Sequence, residues 1–318
     1  MHRTLAWILS LALLLIGCSD MHRCLHADEP DVLEAEKAAL WDKLLSVRPS
    51  PAPVDPEHAL SVTFLSVGQG DCVLLVAPDG KTMLVDAGPY DAFDTIRETL
   101  DERGVTALDA VIATHPHADH IGSMAAVLDA YPVGAFYTIA QEADTPLYRQ
   151  MRDTLNRSGC PIACPVGGQT IAWSETCTVT VLSPIAGYPD PEEQNDASLV
   201  LHVRYGDTAV LLTGDAEALA EKRMLDTFPR SMLKADVLKL GHHGSSSSTG
   251  YSFFLAVDPD FAVASCGRNN DYGHPHLETL SLLYDTRTAL YRTDLDGAIT
   301  FLLDGTGVSV ETNRKELP

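Results

Sequence analysis

The chain predicts an α/β fold in which two β-sheets pack together with helices on the outside. From Leu60 onward, short runs rich in leucine and β-branched residues alternate with stretches of helical periodicity. These runs form two successive strand-rich halves, each interleaved with helices. A sheet with one apolar face must bury it against another layer, and two such halves satisfy each other. With 45% hydrophobic and 21% charged residues among 318, the chain has material for one large core.

The first half opens with "LSVTFLSV", "DCVLLVA" and "KTMLVDAG", three strand-like runs separated by Gly-Gln-Gly and Pro-Asp-Gly turns. A helical run from Thr95 to Arg103 leads to the buried strand "LDAVIAT". Residues 120–130 read as a helix, "GAFYTI" as a strand and 145–157 as another helix. In the second half "CTVTVLSP", "SLVLHVRYG" and "TAVLLTGD" are strands, followed by a helix from Ala216 to Thr227 and the strand "ADVLKLG". After Gly250 come helix, strand and helix, then the closing strands "ALYRT", "AITFLL" and "GVSVET".

Three segments follow from composition. Residues 1–18 read as an export signal: Arg3, an apolar run from Leu5 to Ile16 too short to span a bilayer, then Leu15-Ile16-Gly17-Cys18. That ending is similar to a bacterial lipobox, which implies cleavage before Cys18 and lipidation there. The expected location is the extracytoplasmic face of a membrane, held by the lipid. Residues 19–58 read as a helical spacer and a stiff linker, with four prolines between Pro49 and Pro56. Residues 59–318 are the remaining domain. If Cys18 is lipidated, six cysteines are left, an even number that permits disulfides without fixing their pairing. Cys160 and Cys164 have no second pair to complete a zinc site, and neither Cys72 nor Cys266 has a histidine neighbour in sequence.

The chemistry concentrates in "THPHADHIGS", which places His115, His117, Asp119 and His120 in six positions directly after a buried strand. In an extended segment alternate residues share one side, so His115, His117 and Asp119 point the same way. Two imidazoles suit a first-row divalent ion, and the adjacent carboxylate and imidazole suit a second ion beside it. The formal net charge of −22 repels nucleic acid over most of the surface, so a polyanion needs a local positive centre such as a metal pair.

His-x-His-x-Asp-His after a strand resembles the signature of the metallo-β-lactamase superfamily. More narrowly, the chain resembles the metallo-hydrolase domain of the ComEC/Rec2 competence proteins. "SVGQGDCVLLV", "MLVDAG", "NDASLVLHV", "LLTGDAE", "VLKLGHHGSSSS" and "YGHPH" occur in the same order between about residue 60 and residue 312. The resemblance implies an αββα four-layer sandwich with a metal site at one sheet edge. It implies that Asp86 orients metal-binding side chains and that Asp215 bridges two ions, zinc or manganese. His242, where the strand from Asp236 ends, is taken as a ligand of the second ion, with His243 facing substrate or backing the site; the two are interchangeable on sequence. The superfamily's further histidine is absent, and Asn195 or Asp196 stands nearest its place, which suggests an oxygen-rich first site. His202, inside a strand, reads as a packed residue. Ser245 and its neighbours offer hydroxyl and N–H groups to a phosphate, and His274 is a candidate substrate contact.

The implied activity is metal-assisted hydrolysis, in which two ions lower the pKa of a water held between them. A phosphodiester is the favoured substrate, either DNA or a smaller or cell-envelope phosphodiester. The alternatives are another ester, amide or lactam, and a metal-bound module that only binds. Nothing in the sequence marks a protein partner.

Overall fold

A computed structural model describes residues 30–49, 54–188 and 193–313. The lipobox with Cys18, and Cys24, lie outside the described residues. Among the described residues fifteen strands form two mixed sheets. The first has the order β15-β14-β1-β2-β3-β4-β5-β6: Leu60–Phe64 (β1), Val73–Val76 (β2), Thr82–Val85 (β3), Leu108–Ile112 (β4), Val133–Tyr137 (β5), Ile162–Ala163 (β6), Ala298–Leu303 (β14) and Val308–Asn313 (β15). The second has the order β13-β12-β11-β10-β9-β8-β7: Thr170–Ile171 (β7), Thr178–Ser183 (β8), Val200–Tyr205 (β9), Thr208–Leu212 (β10), Val237–Lys239 (β11), Phe261–Ala264 (β12) and Ala289–Arg292 (β13). The halves are therefore not quite sequential. The two closing strands return to the first sheet, where β14 pairs antiparallel with β1.

Three apolar clusters define four layers. Phe64, Val85, Leu201, Val210, Val263 and Phe301 pack between the sheets. Outside the first sheet, Ile96 and Leu100 of Phe93–Glu102 (α2), Met124 and Val127 of Met124–Ala130 (α4) and Met151 and Leu155 of Pro146–Ser158 (α5) are buried. The short helix Ala118–Ile121 (α3) precedes α4, so the single helix expected over 120–130 is split near Gly122. Outside the second sheet lie Ala218–Thr227 (α6), Arg230–Leu233 (α7), Tyr251–Val257 (α8) and Leu277–Thr286 (α9), while Thr293–Asp296 (α10) joins β13 to β14. This is the αββα sandwich.

The helix Pro30–Leu45 (α1), expected as a free spacer, instead packs on the second sheet's helical layer. Leu44 is fully buried with Leu280 and Leu283 of α9, and Leu40 and Trp41 cover the same cluster. Arg48 secures the end of the segment. Its guanidinium donates to both oxygens of Asp296 at 2.8 and 2.6 Å and to the Leu290 carbonyl at 2.8 Å, above the Tyr291 ring. A bidentate, half-buried pair of this kind fixes geometry better than an exposed lysine pair would.

The topology explains where the chemistry sits. β3 and β4 run parallel with Val85 opposite Ile112, and β10, β11 and β12 run parallel with Leu211 opposite Leu238 and Lys239 opposite Val263. Parallel neighbours present their carboxyl ends at one edge, where loops gather. Asp86, His115, Asp215 and His243 all follow such strand ends.

Candidate metal centre

Asp86 organises the first group. Its Oδ1 accepts the Thr114 N–H at 2.8 Å, and its Oδ2 accepts the Thr114 hydroxyl at 2.7 Å and His120 Nδ1 at 2.7 Å. Because Nδ1 donates in that bond, His120 Nε2 is the ring nitrogen left to take a proton or a metal ion. It faces Asp215 Oδ2 at 3.2 Å, is buried, and has no hydrogen-bond partner. His243 repeats the pattern. Nδ1 donates to the Ser265 carbonyl at 2.9 Å, and Nε2 lies 3.1 Å from Asp119 Oδ2 and 3.5 Å from Asp215 Oδ2.

One ligand atom from each of Asp119, His120, Asp215 and His243 lies within 4.8 Å of the others. Burial works to lower the His120 imidazolium, but Asp215 and Asp86 outweigh it and raise it well above the ordinary histidine value. Imidazole lone pairs and carboxylates aimed at one buried point require a cation there, a proton or a metal ion. Two nitrogens and two carboxylates form a donor set that suits a divalent ion.

His115 and His117 stand beside this group, His115 Nε2 at 3.0 Å from His117 Nδ1 and 3.9 Å from Asp215 Oδ2. Burial, then the neighbouring His120, hold the His115 imidazolium well below its ordinary value, which leaves a neutral ligand. His242 approaches from another side. Nδ1 lies 2.8 Å from Glu217 Oε1 and Nε2 lies 3.7 Å from Asp215 Oδ2. Asn195 donates to the same Glu217 oxygen at 3.1 Å, and its own Oδ1 is buried without a partner.

Several sequence expectations change in detail. His243, not His242, joins the four-residue group. Both residues adopt positive φ, 45° and 57°, so strand alternation does not reach them. Asp196 turns away from Asn195: its Oδ1 accepts the N–H groups of Glu217 and Ala220 at 3.1 and 2.9 Å, capping α6. The loop after His243 keeps its N–H groups for itself. Those of Ser245, Ser246, Ser247 and Ser248 go to the His242 carbonyl, His276 Nδ1, the Ser245 hydroxyl and the Ser245 carbonyl. The Ser245 hydroxyl also contacts that of Ser247 at 2.9 Å, so the loop as it stands offers no phosphate cradle.

His202 bonds the Lys234 carbonyl from within β9, as a packed residue. His274 does reach the centre, its ring 5.5 Å from His242 and 6.1 Å from His243. Burial and the nearby histidines push its pKa down to about 3, so it is neutral at working pH. The five described cysteines are free thiols, and burial raises those of Cys72 and Cys266, which removes them as nucleophiles.

Two charged residues went unnoticed in sequence. Lys239 donates to Asp71 Oδ2 at 2.7 Å and to the carbonyls of Gly214 and Leu240 at 2.8 and 3.0 Å. All three ammonium hydrogens are thus used, 3.8 Å from Asp215 Oδ1, with the side chain 1% exposed. Burial works to lower the ammonium, but Asp71 and Asp215 outweigh it and leave it raised. A lysine in an otherwise apolar strand, "ADVLKLG", was the available signal. Gly70 lets Asp71 approach. A Cβ there would sit 2.3 Å from the Asp119 carbonyl, which accepts the Asp71 N–H at 3.1 Å.

Residues 65–268 match the family model of the metallo-beta-lactamase superfamily. The chain belongs to that superfamily. Competence proteins are among its curated relatives. ComE operon protein 3 of Bacillus subtilis is 33% identical over 257 residues, covering 76% of this chain and 32% of the relative. Competence protein ComA of Neisseria gonorrhoeae is 32% identical over 260 residues, covering 81% and 34%. The chain therefore spans about a third of the length of these curated relatives. Among solved structures, the metallo-beta-lactamase fold protein YhfI from Bacillus subtilis aligns with a TM-score of 0.49 at 14% identity, covering 73% of this chain and 95% of that one. The superfamily's fold is a metal-dependent hydrolase fold, and among the described residues no helix is long and apolar enough to cross a membrane.

Proposed function

We propose that the chain is a phosphodiesterase using two divalent ions, zinc or manganese, side by side. One observation carries the reading. The Nε2 atoms of His120, His243 and His242, each with Nδ1 tied to an acceptor, face the Asp215 carboxylate at 3.2, 3.5 and 3.7 Å. In this reading Asp119, His120, Asp215 and His243 would hold one ion. His115 and His117 would hold the other, with Asp215 within reach of both groups and the Asn195 oxygen offered in place of the absent imidazole. Such ions, when bound, supply a Lewis acid and an acidified water.

The protein's own contribution is orientation and exclusion. Asp86 and the Ser265 carbonyl fix the imidazole tautomers, as is usual around metal-binding histidines. His274 borders the centre as a neutral hydrogen-bonding group that adds no charge to repel or trap a polyanion. The relatives' names, competence and recombination proteins, support DNA or a similar phosphodiester as substrate. We further propose that the protein is exported and lipid-anchored through Cys18.

The test is hydrolysis by protein stripped with chelator and reloaded with manganese or zinc. Bis-p-nitrophenyl phosphate and DNA are expected to be cleaved only after reloading, and nitrocefin not at all. Cleavage of nitrocefin alone would favour the lactam alternative. Metal uptake without any turnover would favour a binding module.

A further inference from the structure

We infer that the amino-terminal helix α1 is a working part of the substrate site, in which Lys37 clamps the 270–276 loop and so positions His274. This rests on the reading that His274 borders the substrate. Lys37 Nζ donates to the Gly273 carbonyl at 2.7 Å, with its side chain only 14% exposed. A half-buried ammonium is costly unless it is bonded, so the contact is a fixed one. Gly273 adopts φ +70°, and a Cβ there would lie 3.4 Å from the lysine nitrogen, so the turn runs against the helix.

The loop's other braces come from within itself, from the histidine loop and from Gln69, whose side-chain nitrogen lies 3.5 Å from His274 Nδ1. Asn270 donates to the Gly267 and His274 carbonyls and accepts the His274 N–H. His276 accepts the Ser246 N–H at Nδ1, which leaves Nε2 to donate to the Tyr272 carbonyl at 2.9 Å. Lys37 alone among the described residues ties the turn to α1. Next to Gly273, Tyr272 is 66% exposed and stacks on the His274 ring at 5.6 Å. The clamp therefore sits between a ring open to solvent and the imidazole beside His242. Leu44 and Arg48 anchor α1 firmly enough for Lys37 to act from a fixed base. The helix lies outside residues 65–268, the stretch that matches the family model.

Lys37 is thus a positioning residue, tested by hydrogen exchange and kinetics on the full chain. In Lys37→Met, amides of 270–276 should exchange about 10-fold faster, as loss of one charged hydrogen bond implies. Hydrolysis of bis-p-nitrophenyl phosphate should lose about 5- to 10-fold in kcat/KM, mainly through KM, with metal content unchanged. Lys37→Arg should restore much of both. Leu44→Ala, which loosens α1 itself, should speed exchange in the same loop. Unchanged exchange in Lys37→Met, or equal impairment in Lys37→Arg, overturns the clamp. The exchange arm needs no turnover, so it decides the clamp even if the phosphodiesterase reading fails.

Discussion

Replacing Asp215 with alanine is expected to abolish phosphodiester hydrolysis, by at least about 10³-fold in kcat, while the chain still folds. Its carboxylate is the point on which His115, His120, His242 and His243 converge, at 3.2 to 3.9 Å. Among the described residues no other side chain reaches all four, so without it neither group of ligands closes. In the metal-free protein burial works to raise the Asp215 carboxyl, but His120, His243 and Lys239 outweigh it and hold it well below its ordinary value, so the loss also costs some stability. Bound metal should fall below one ion per chain, while circular dichroism stays close to wild type and the thermal midpoint of the stripped protein falls. A variant that still binds two ions would remove Asp215 from the centre.

The opposite balance is expected for Lys239→Met. Here the loss is structural, because the buried Asp71 carboxylate, 3% exposed, loses its 2.7 Å ion pair and keeps only histidine neighbours, His243 Nδ1 at 3.3 Å foremost. Breaking a buried pair from one side costs about 3–5 kcal/mol. In a domain of this size that lowers the thermal midpoint by roughly 10 °C. Asp71→Leu alone should cost a similar amount, since it strands the ammonium. The double variant Asp71→Leu/Lys239→Met should recover more than half of the loss, because an apolar pair of similar volume replaces the ion pair. Urea unfolding of metal-free protein measures all three. Additive losses in the double variant would mean that the two residues do not act as a pair.

The sandwich was legible because its strands announce themselves twice, by β-branched runs and by the turns between them. "LSVTFLSV" and "KTMLVDAG" contain the observed strands Leu60–Phe64 and Thr82–Val85 and run three residues past each, and "AITFLL" coincides with Ala298–Leu303. What sequence could not show was the return of β14 and β15 to the first sheet, since pairing partners are set by packing and not by local propensity. The docking of α1 was hidden for a related reason: its apolar stripe is weak, and Lys37 and Arg48 do much of the attachment.

Within the centre, His115, His117, Asp119 and His120 were readable from their spacing. The choice between His242 and His243 was not, because both sit at positive φ, where alternation no longer tells which side chain turns inward. Asn195 and Asp196 separated for a similar reason. A short turn sends one to Glu217 and the other to the start of α6. Lys239 and Asp71 were overlooked because, in sequence, a lone lysine and a lone aspartate 168 positions apart show nothing of their contact.

The most direct test is metal analysis of the full chain, stripped with chelator, reloaded with manganese or zinc and assayed on bis-p-nitrophenyl phosphate. Two bound ions per chain, with hydrolysis lost on stripping and regained on reloading, is the predicted result. Hydrolysis that survives stripping, or reloading that leaves no bound ion, would contradict it.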